Sequence, residues 1–265
     1  MMNNAAITVE NLSKRYRNAA TPAVDNISFS VGEGEFFAFL GQNGAGKTTT
    51  ISILTTTLAK TAGSVTIAGY DIDREAREVR GRIGIIFQKP GIDLDLSAEE
   101  NIRLHACLYG LYAYRPFFRW MPKAYCDRVT EMARIMGIAD ELWKPLKIFS
   151  GGMRRKIEII RGLIHRPAVL FLDEPTQGLD PVSRRGLWNY IRTVRKEDGT
   201  TIFLTTHYID EAEDADKLCM IQRGKIIFSG APSELKMSSR SGSLEDAYIG
   251  LLTEDPCGAA ETKRR

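Results

Sequence analysis

Apolar and polar positions follow two different rhythms along this chain. In ITVENLSKRY (7–16), NISFSV (26–31) and SVTIAGYDI (64–72), β-branched and polar residues alternate, the pattern of strands with one wet face. GEGE (32–35) closes the second of these as a tight turn. This first part predicts a small, mostly antiparallel sheet. FFAFL (36–40), IGIIF (83–87), VLFLD (169–173) and TIFLT (201–205) are instead continuous apolar runs bounded by turn residues. Runs of that kind predict strands buried on both faces, as in a parallel sheet covered by helices. Helix-prone sequence fills about 97–165, between the second and third runs. The expected fold class is therefore α/β: a core with a parallel sheet, an N-terminal antiparallel β-subdomain and an inserted α-helical subdomain at about 97–165.

Composition narrows the setting. A chain of 265 residues supports one large domain or two small ones with a sizeable core. Its net charge of +3 is spread along the chain rather than blocked, so no nucleic-acid partner is expected. The basic end Lys263-Arg264-Arg265 reads as a solvated tail. None of Cys107, Cys126, Cys219 and Cys257 forms a C-x-x-C pair, which argues against a zinc or redox motif and for a reducing compartment. The start MMNNAAITVEN has no basic region and no apolar stretch of the kind a signal peptide needs. The longest unbroken apolar runs, Phe36–Leu40 and Ala168–Leu172, fall far short of the ~20 residues that span a bilayer. A cytosolic chain whose membrane role comes through a partner is the expectation.

GQNGAGKT (41–48) fits G-x-x-x-x-G-K-[ST], with a buried strand before it and the periodic TTTISILTTTL after it. A P-loop NTPase core is the expectation. Gly41, Gly44 and Gly46 permit the backbone angles that turn successive N–H groups inward around an anion. The helix that follows points its positive end at the same place. Lys47 is placed to reach β- and γ-phosphates, and Thr48 offers a hydroxyl to Mg²⁺. Asn43, Ala45 and Thr49 complete the nucleotide-binding set. In VLFLDE, Asp173 ends a buried strand where a carboxylate can face the metal. Glu174, one residue on, has the position of a base that orients or activates water.

FSGGMRRKIEIIRGLIHRP (149–167) suggests a second anion site. Ser150 is a natural N-cap, Gly151 and Gly152 leave the first-turn N–H groups uncovered, and Met153, Ile157, Ile160 and Ile164 recur on one helical face. Arg154, Arg155 and Lys156 crowd the same end, where an anion would relieve their opposition to the helix dipole. A capped helix with a solvated basic face is the alternative.

The order of these motifs resembles the nucleotide-binding subunit of ATP-binding cassette (ABC) transporters over about residues 6–252. FSGGM is similar to the family's signature, usually Leu-Ser-Gly-Gly-Gln. The resemblance implies a head-to-tail dimer with a second copy or a similar ATPase subunit, in which Ser150, Gly151 and Gly152 of one chain meet the γ-phosphate held by the other. It implies ATP and Mg²⁺ as ligands and an integral-membrane permease as partner, with the chain peripheral on the cytoplasmic membrane face. Tyr16 resembles the aromatic residue that stacks on adenine, strand packing being its alternative. Gln88 resembles the Q-loop glutamine touching the metal and the lytic water, Asp180 in QGLDP the interface aspartate, and His207 in TTH the switch histidine on the γ-phosphate. Phe149 and Met153 depart from the signature, so the contact its glutamine makes is lost.

Met153 followed by Arg-Arg-Lys, and SLEDAYIGLL (243–252), look like the branch serving drug, ion and polysaccharide exporters. The implied division is an ATPase domain at 1–240 and a short C-terminal helix and tail at 241–265. The resemblance thus implies an exporter's ATP-hydrolysing subunit. A non-transport ABC ATPase acting on nucleic acid or ribosomes, or an importer's energy subunit, remain as alternatives. Against the family pattern, roughly 113–121 is an insertion. It holds Tyr114, Phe117, Phe118 and Trp120 with Arg115 and Arg119 between them. Local packing of the helical subdomain is one reading; an exposed contact with the membrane partner or the headgroup region is the other.

Overall fold

The computed structural model describes residues 5–87, 91–239 and 242–253. Gln88, Cys257 and the tail Lys263–Arg265 lie outside the described residues. In chain order the elements are β1 (Ala5–Lys14), β2 (Val24–Gly32), β3 (Phe36–Leu40), α1 (Lys47–Leu54), β4 (Ala62–Ile67), β5 (Tyr70–Asp71), α2 (Ala76–Arg82), β6 (Ile83–Ile86), α3 (Ala98–Leu108), α4 (Lys123–Ile135), α5 (Gly151–Leu163), β7 (Val169–Asp173), α6 (Pro181–Asp198), β8 (Thr201–Thr206), β9 (Lys217–Gln222), β10 (Lys225–Gly230), α7 (Pro232–Ser238) and α8 (Leu244–Thr253).

Two sheets carry the fold. The four-stranded sheet runs β2-β1-β4-β5 and is antiparallel throughout. The six-stranded sheet runs β10-β9-β3-β8-β7-β6. Its inner pairs β9–β3, β3–β8, β8–β7 and β7–β6 are parallel, and only the edge hairpin β9–β10 is antiparallel. That hairpin was not foreseen in KLCMIQRGKIIFSG. Its strands are amphipathic only in part, and Arg223-Gly224 sits in the left-handed turn between them.

The continuous apolar runs are explained by burial on both faces. Phe37 and Phe39 of β3 point to one side, where Phe29 of β2, Phe171 of β7 and Phe203 of β8 form an aromatic stack with ring centroids 5.2–6.5 Å apart. Ile51, Ile53 and Leu54 of α1 cover that side. Phe36, Ala38 and Leu40 point to the other, against Leu170, Leu172, Ile202, Leu204 and the helical layer. Each fully buried aromatic or branched side chain contributes roughly 1.5–3 kcal/mol.

The stretch between β6 and β7 is helical. A capping box starts α3, with Ser97 accepting the Glu100 N–H and Glu100 accepting the Ser97 N–H. Ser150 caps α5 by accepting the Met153 N–H at 3.2 Å. The apolar face of α5 packs into the same core as α3 and α4. Where α5 crosses β6, Gly84 and Gly162 allow close approach: a Cβ on Gly84 would lie 2.1 Å from the Gly162 carbonyl. Among the described residues no helix is long and apolar enough to cross a membrane.

Candidate nucleotide site

The handover from β3 to α1 is a loop that only this composition can make. Gly46 has φ +115°, and a Cβ there would meet the Ala23 carbonyl at 2.6 Å. Gly46 is also the N-cap of α1 and provides no side-chain bond. The first N–H groups of the helix therefore open toward a cleft, where they and the helix dipole favour an anion. The cleft has a volume of ≈ 320 Å³ and is lined by Gln42, Asn43, Gly44, Lys47, Thr48, Thr49, Glu174 and Gln177 among others.

Lys47 is 4% exposed, and its ammonium is held by the carbonyls of Gly41 at 2.7 Å and Gln42 at 3.3 Å. Burial lowers its pKa, opposed chiefly by the Glu174 carboxylate. Glu174 Oε1 lies 3.5 Å from Lys47 Nζ and 3.3 Å from His207 Nδ1. The His207 contact has ion-pair distance without hydrogen-bond alignment. Glu174 itself sits at φ +45°, a backbone conformation that costs a non-glycine residue of order 1–3 kcal/mol. Its N–H is pinned to the Thr205 carbonyl at 3.0 Å, so β8 holds the strained residue in place. The result is one carboxylate standing between an ammonium and an imidazole at the mouth of a phosphate-sized cleft.

Asp173, at the end of β7, is 4% exposed and accepts the Thr205 hydroxyl at 2.5 Å. Burial raises its pKa, and the Thr205 bond is the largest opposing influence. Tyr16 lies beyond the end of β1, half-exposed, with its hydroxyl 3.3 Å from Thr49 Oγ1 and its ring under Lys14 Nζ. It is therefore beside the P-loop rather than packed in the strand.

The other expected residues lie elsewhere. Ser150, Gly151 and Gly152 do not line the cleft. Gly151 is exposed, and a Cβ there would meet nothing within 4 Å. Gly152 faces a separate groove with Leu179 and Asn189. Asp180 is exposed and accepts the Val182 N–H at 3.0 Å at the start of α6. The crowding of cations at the start of α5 is resolved differently from the sequence expectation. Arg154 donates to the carbonyls of Leu146 and Lys147, both at 3.2 Å. Arg155 turns inward and donates to Pro175 and Phe87. Two of the three cations are thus spent on backbone carbonyls rather than offered to an anion, the Leu146 carbonyl accepting the Phe149 N–H as well.

Three residues that brace the site escaped the sequence reading. Thr205 looks like ordinary strand, yet it braces both Asp173 and Glu174. Glu211 sits in the acidic run DEAED, which reads as a solvated helix. It is buried and accepts hydroxyls from Thr206 at 2.7 Å and from Thr176, joining the segments after β8 and β7. Arg155 is the third. It lies off the apolar Met153–Ile164 repeat, in a basic run, and carries no signal of its burial.

A Gly-rich loop between a buried strand and a helix, a buried lysine in it, and an Asp-Glu pair at the end of β7, two strands away in the same parallel sheet, define a P-loop nucleoside-triphosphatase. The family model for ABC transporters matches residues 24–177. The chain is 39% identical over 236 residues to the daunorubicin resistance ATP-binding protein DrrA3 of Streptomyces coeruleorubidus, covering 89% of this chain and 71% of that one. It is 39% identical over 235 residues to the Nod factor export ATP-binding protein I of Paraburkholderia xenovorans (strain LB400), covering 88% and 73%. Among solved structures, the ATP-binding subunit of an ABC transporter superposes with a TM-score of 0.82 at 28% identity, covering 93% of this chain and 99% of that one. The chain belongs to the ABC transporter family. It is an ATPase subunit of the exporter-like kind.

Proposed function

We propose that two copies of the chain, or one copy and a similar subunit, hydrolyse two ATP–Mg²⁺ at a shared interface on the cytoplasmic membrane face and thereby drive an export permease. The observation that carries this reading is the split of anion-directed features between two surfaces. The P-loop, Glu174 and His207 gather at one cleft, whereas the uncovered helix start at Ser150–Gly152 stands on another surface. A facing chain would bring the two together, with Asp180 at the seam. The export direction is supported by the drug-resistance and Nod-factor-export relatives above. The division into a domain at 1–240, with helices inserted at about 97–165, and a C-terminal piece at 241–265 belongs to the same reading.

Within that site, each residue has a physical task. Backbone N–H groups of Gly44 to Thr48 bind phosphate oxygens, and Lys47 exchanges its loop carbonyls for them. Tyr16 stacks on the base. Glu174 accepts a proton from the attacking water, and His207 holds the γ-phosphate end. The Thr48 hydroxyl and the Asp173 carboxylate are hard oxygen donors, which fits a magnesium ion shared with phosphates. Gln88 is assigned to the same set. Held by these residues, a magnesium ion would supply neutralisation of phosphate charge.

The test uses Glu174→Gln and Lys47→Ala. E174Q should bind ATP, lose turnover by about 100-fold or more, and elute as a dimer with ATP–Mg²⁺. K47A should lose nucleotide binding. E174Q remaining monomeric at saturating ATP would overturn the shared interface.

A further inference from the structure

The insertion at 113–121 is a mounted platform, not a loose loop. Arg103 donates to the Arg115 carbonyl at 2.7 Å. Arg103 is itself 5% exposed and pairs with the buried Glu99 at 3.1 Å, which also accepts the Tyr125 hydroxyl at 3.2 Å. Phe118 turns inward against Tyr125 and Trp143, and the next turn buries Met121. A buried ionic cluster is thus used to hold a surface segment in one shape. Phe118 fits the packing reading of the insertion; its neighbours do not.

Tyr114 is 64% exposed, Phe117 50% and Trp120 53%. Phe117 and Trp120 meet edge to face at 4.7 Å, with the Arg119 guanidinium 5.4 and 5.9 Å from their ring centres. No acidic residue occurs between Asn101 and Cys126. Arg115 and Arg119 therefore have no carboxylate within their own segment. Lys123 adds a third cation, paired at the surface with Asp127.

We propose that this platform is a docking surface for anionic phospholipid headgroups. Amphipathic aromatic rings settle at the headgroup level of a bilayer, and basic side chains between them are drawn to an anionic leaflet. Both needs are met within one short segment whose rings are already turned outward. A protein surface of opposite charge would satisfy the arginines, but two touching, half-exposed rings with a cation beside both, in a segment that contains no carboxylate, match the headgroup level more closely. The inference goes beyond the transport reading, since it requires neither nucleotide nor permease: the chain itself touches the membrane.

The experiment is vesicle co-flotation of the purified full chain on phosphatidylcholine alone and on equimolar phosphatidylcholine and phosphatidylglycerol. The wild type should bind the anionic vesicles only, more strongly at low ionic strength. The difference spectrum between wild type and Trp120→Phe should show a blue shift on binding. Arg115→Ala/Arg119→Ala should partition about 30-fold more weakly, at about one kcal/mol per charge. Arg115→Lys/Arg119→Lys should stay close to wild type, and Phe117→Ala/Trp120→Ala should lose the remaining binding. All variants should keep wild-type ATPase activity and melting temperature. Equal binding to neutral and anionic vesicles, no binding to either, or unchanged binding by the variants would overturn the proposal. So would vesicle binding that appears only when a permease is present, which would make the platform a protein contact.

Discussion

Replacing Arg155 by methionine should destabilise the chain more than any other single change on the signature helix outside its apolar face. The guanidinium is 8% exposed and bridges three segments. It donates to the Pro175 carbonyl at 3.0 Å just after β7, to the Phe87 carbonyl just after β6, and to Glu158 Oε2 at 2.9 Å one turn along α5. Glu158 is 6% exposed. Methionine fills much of the space but leaves a carboxylate buried without its cation, and two carbonyls without a donor. Breaking a buried pair from one side costs about 3–5 kcal/mol, a large share of the roughly 5–15 kcal/mol that holds a domain folded. Arg155→Met should therefore lower the unfolding free energy by that amount, read as a lower urea midpoint at unchanged slope. Adding Glu158→Leu should recover part of the loss, because the orphaned charge goes with it. ATPase activity should fall further than stability explains at a temperature where the variant is folded, since Phe87 and Pro175 flank the residues placed at the γ-phosphate. A loss below about 1 kcal/mol, or no recovery in the double variant, would show that the bridge is a surface-like contact and refute the reasoning.

Two further expectations concern protons. Thr205→Val removes the bond that counters the burial-raised pKa of Asp173, so that pKa should rise further. The acidic limb of the pH–kcat profile should move to higher pH, with Thr205→Ser close to wild type; an unmoved limb would remove Thr205 from the site. His105, packed against Arg161, Tyr109 and the nearby His165, is pushed down to about 3 by burial, and the pKa of His165 is lowered as well. Both stay neutral in the fold while the unfolded chain takes up protons near pH 6.5. The contribution of His105 is therefore complete above about pH 6.5 and is lost as pH falls toward about 3, by up to about 1.4 kcal/mol per pH unit, and His165 acts in the same direction. Urea unfolding at pH 7.5 and 5.5 measures the slope, and His105→Phe should flatten it.

How much of this was readable in the residues depends on whether the signal was local. Strands buried on both faces advertise themselves, as in Phe36–Leu40, because each face demands apolar side chains regardless of partner. The phosphate loop is equally local: Gly46 is dictated by its own backbone angle and by one neighbouring carbonyl. Edge hairpin β9–β10 was not readable, since its strands owe their order to pairing with β3 rather than to their own alternation. Glu211 and Arg155 were missed for the same reason. A carboxylate in an acidic run and an arginine in a basic run look solvated until the fold brings the hydroxyls of Thr176 and Thr206, or the carbonyls of Phe87 and Pro175, to meet them.

Those two residues also explain why the strained Glu174 is sustainable. Its left-handed backbone is favoured by nothing in its own side chain, so the surroundings must fix it from both sides. On one side the Thr205 carbonyl takes its N–H; on the other, Arg155 holds the Pro175 carbonyl that follows it. Glu211 then ties Thr176 to Thr206, closing the segment after β7 onto the segment that carries His207. The base and the imidazole are thus set by a brace of buried polar groups rather than by packing alone. Because Arg155 belongs to the helix that begins at Ser150, displacement of that helix start is mechanically linked to the backbone at Glu174. A contact made at the signature surface therefore has a short route, through the Arg155–Pro175 hydrogen bond, to the residue proposed to activate water.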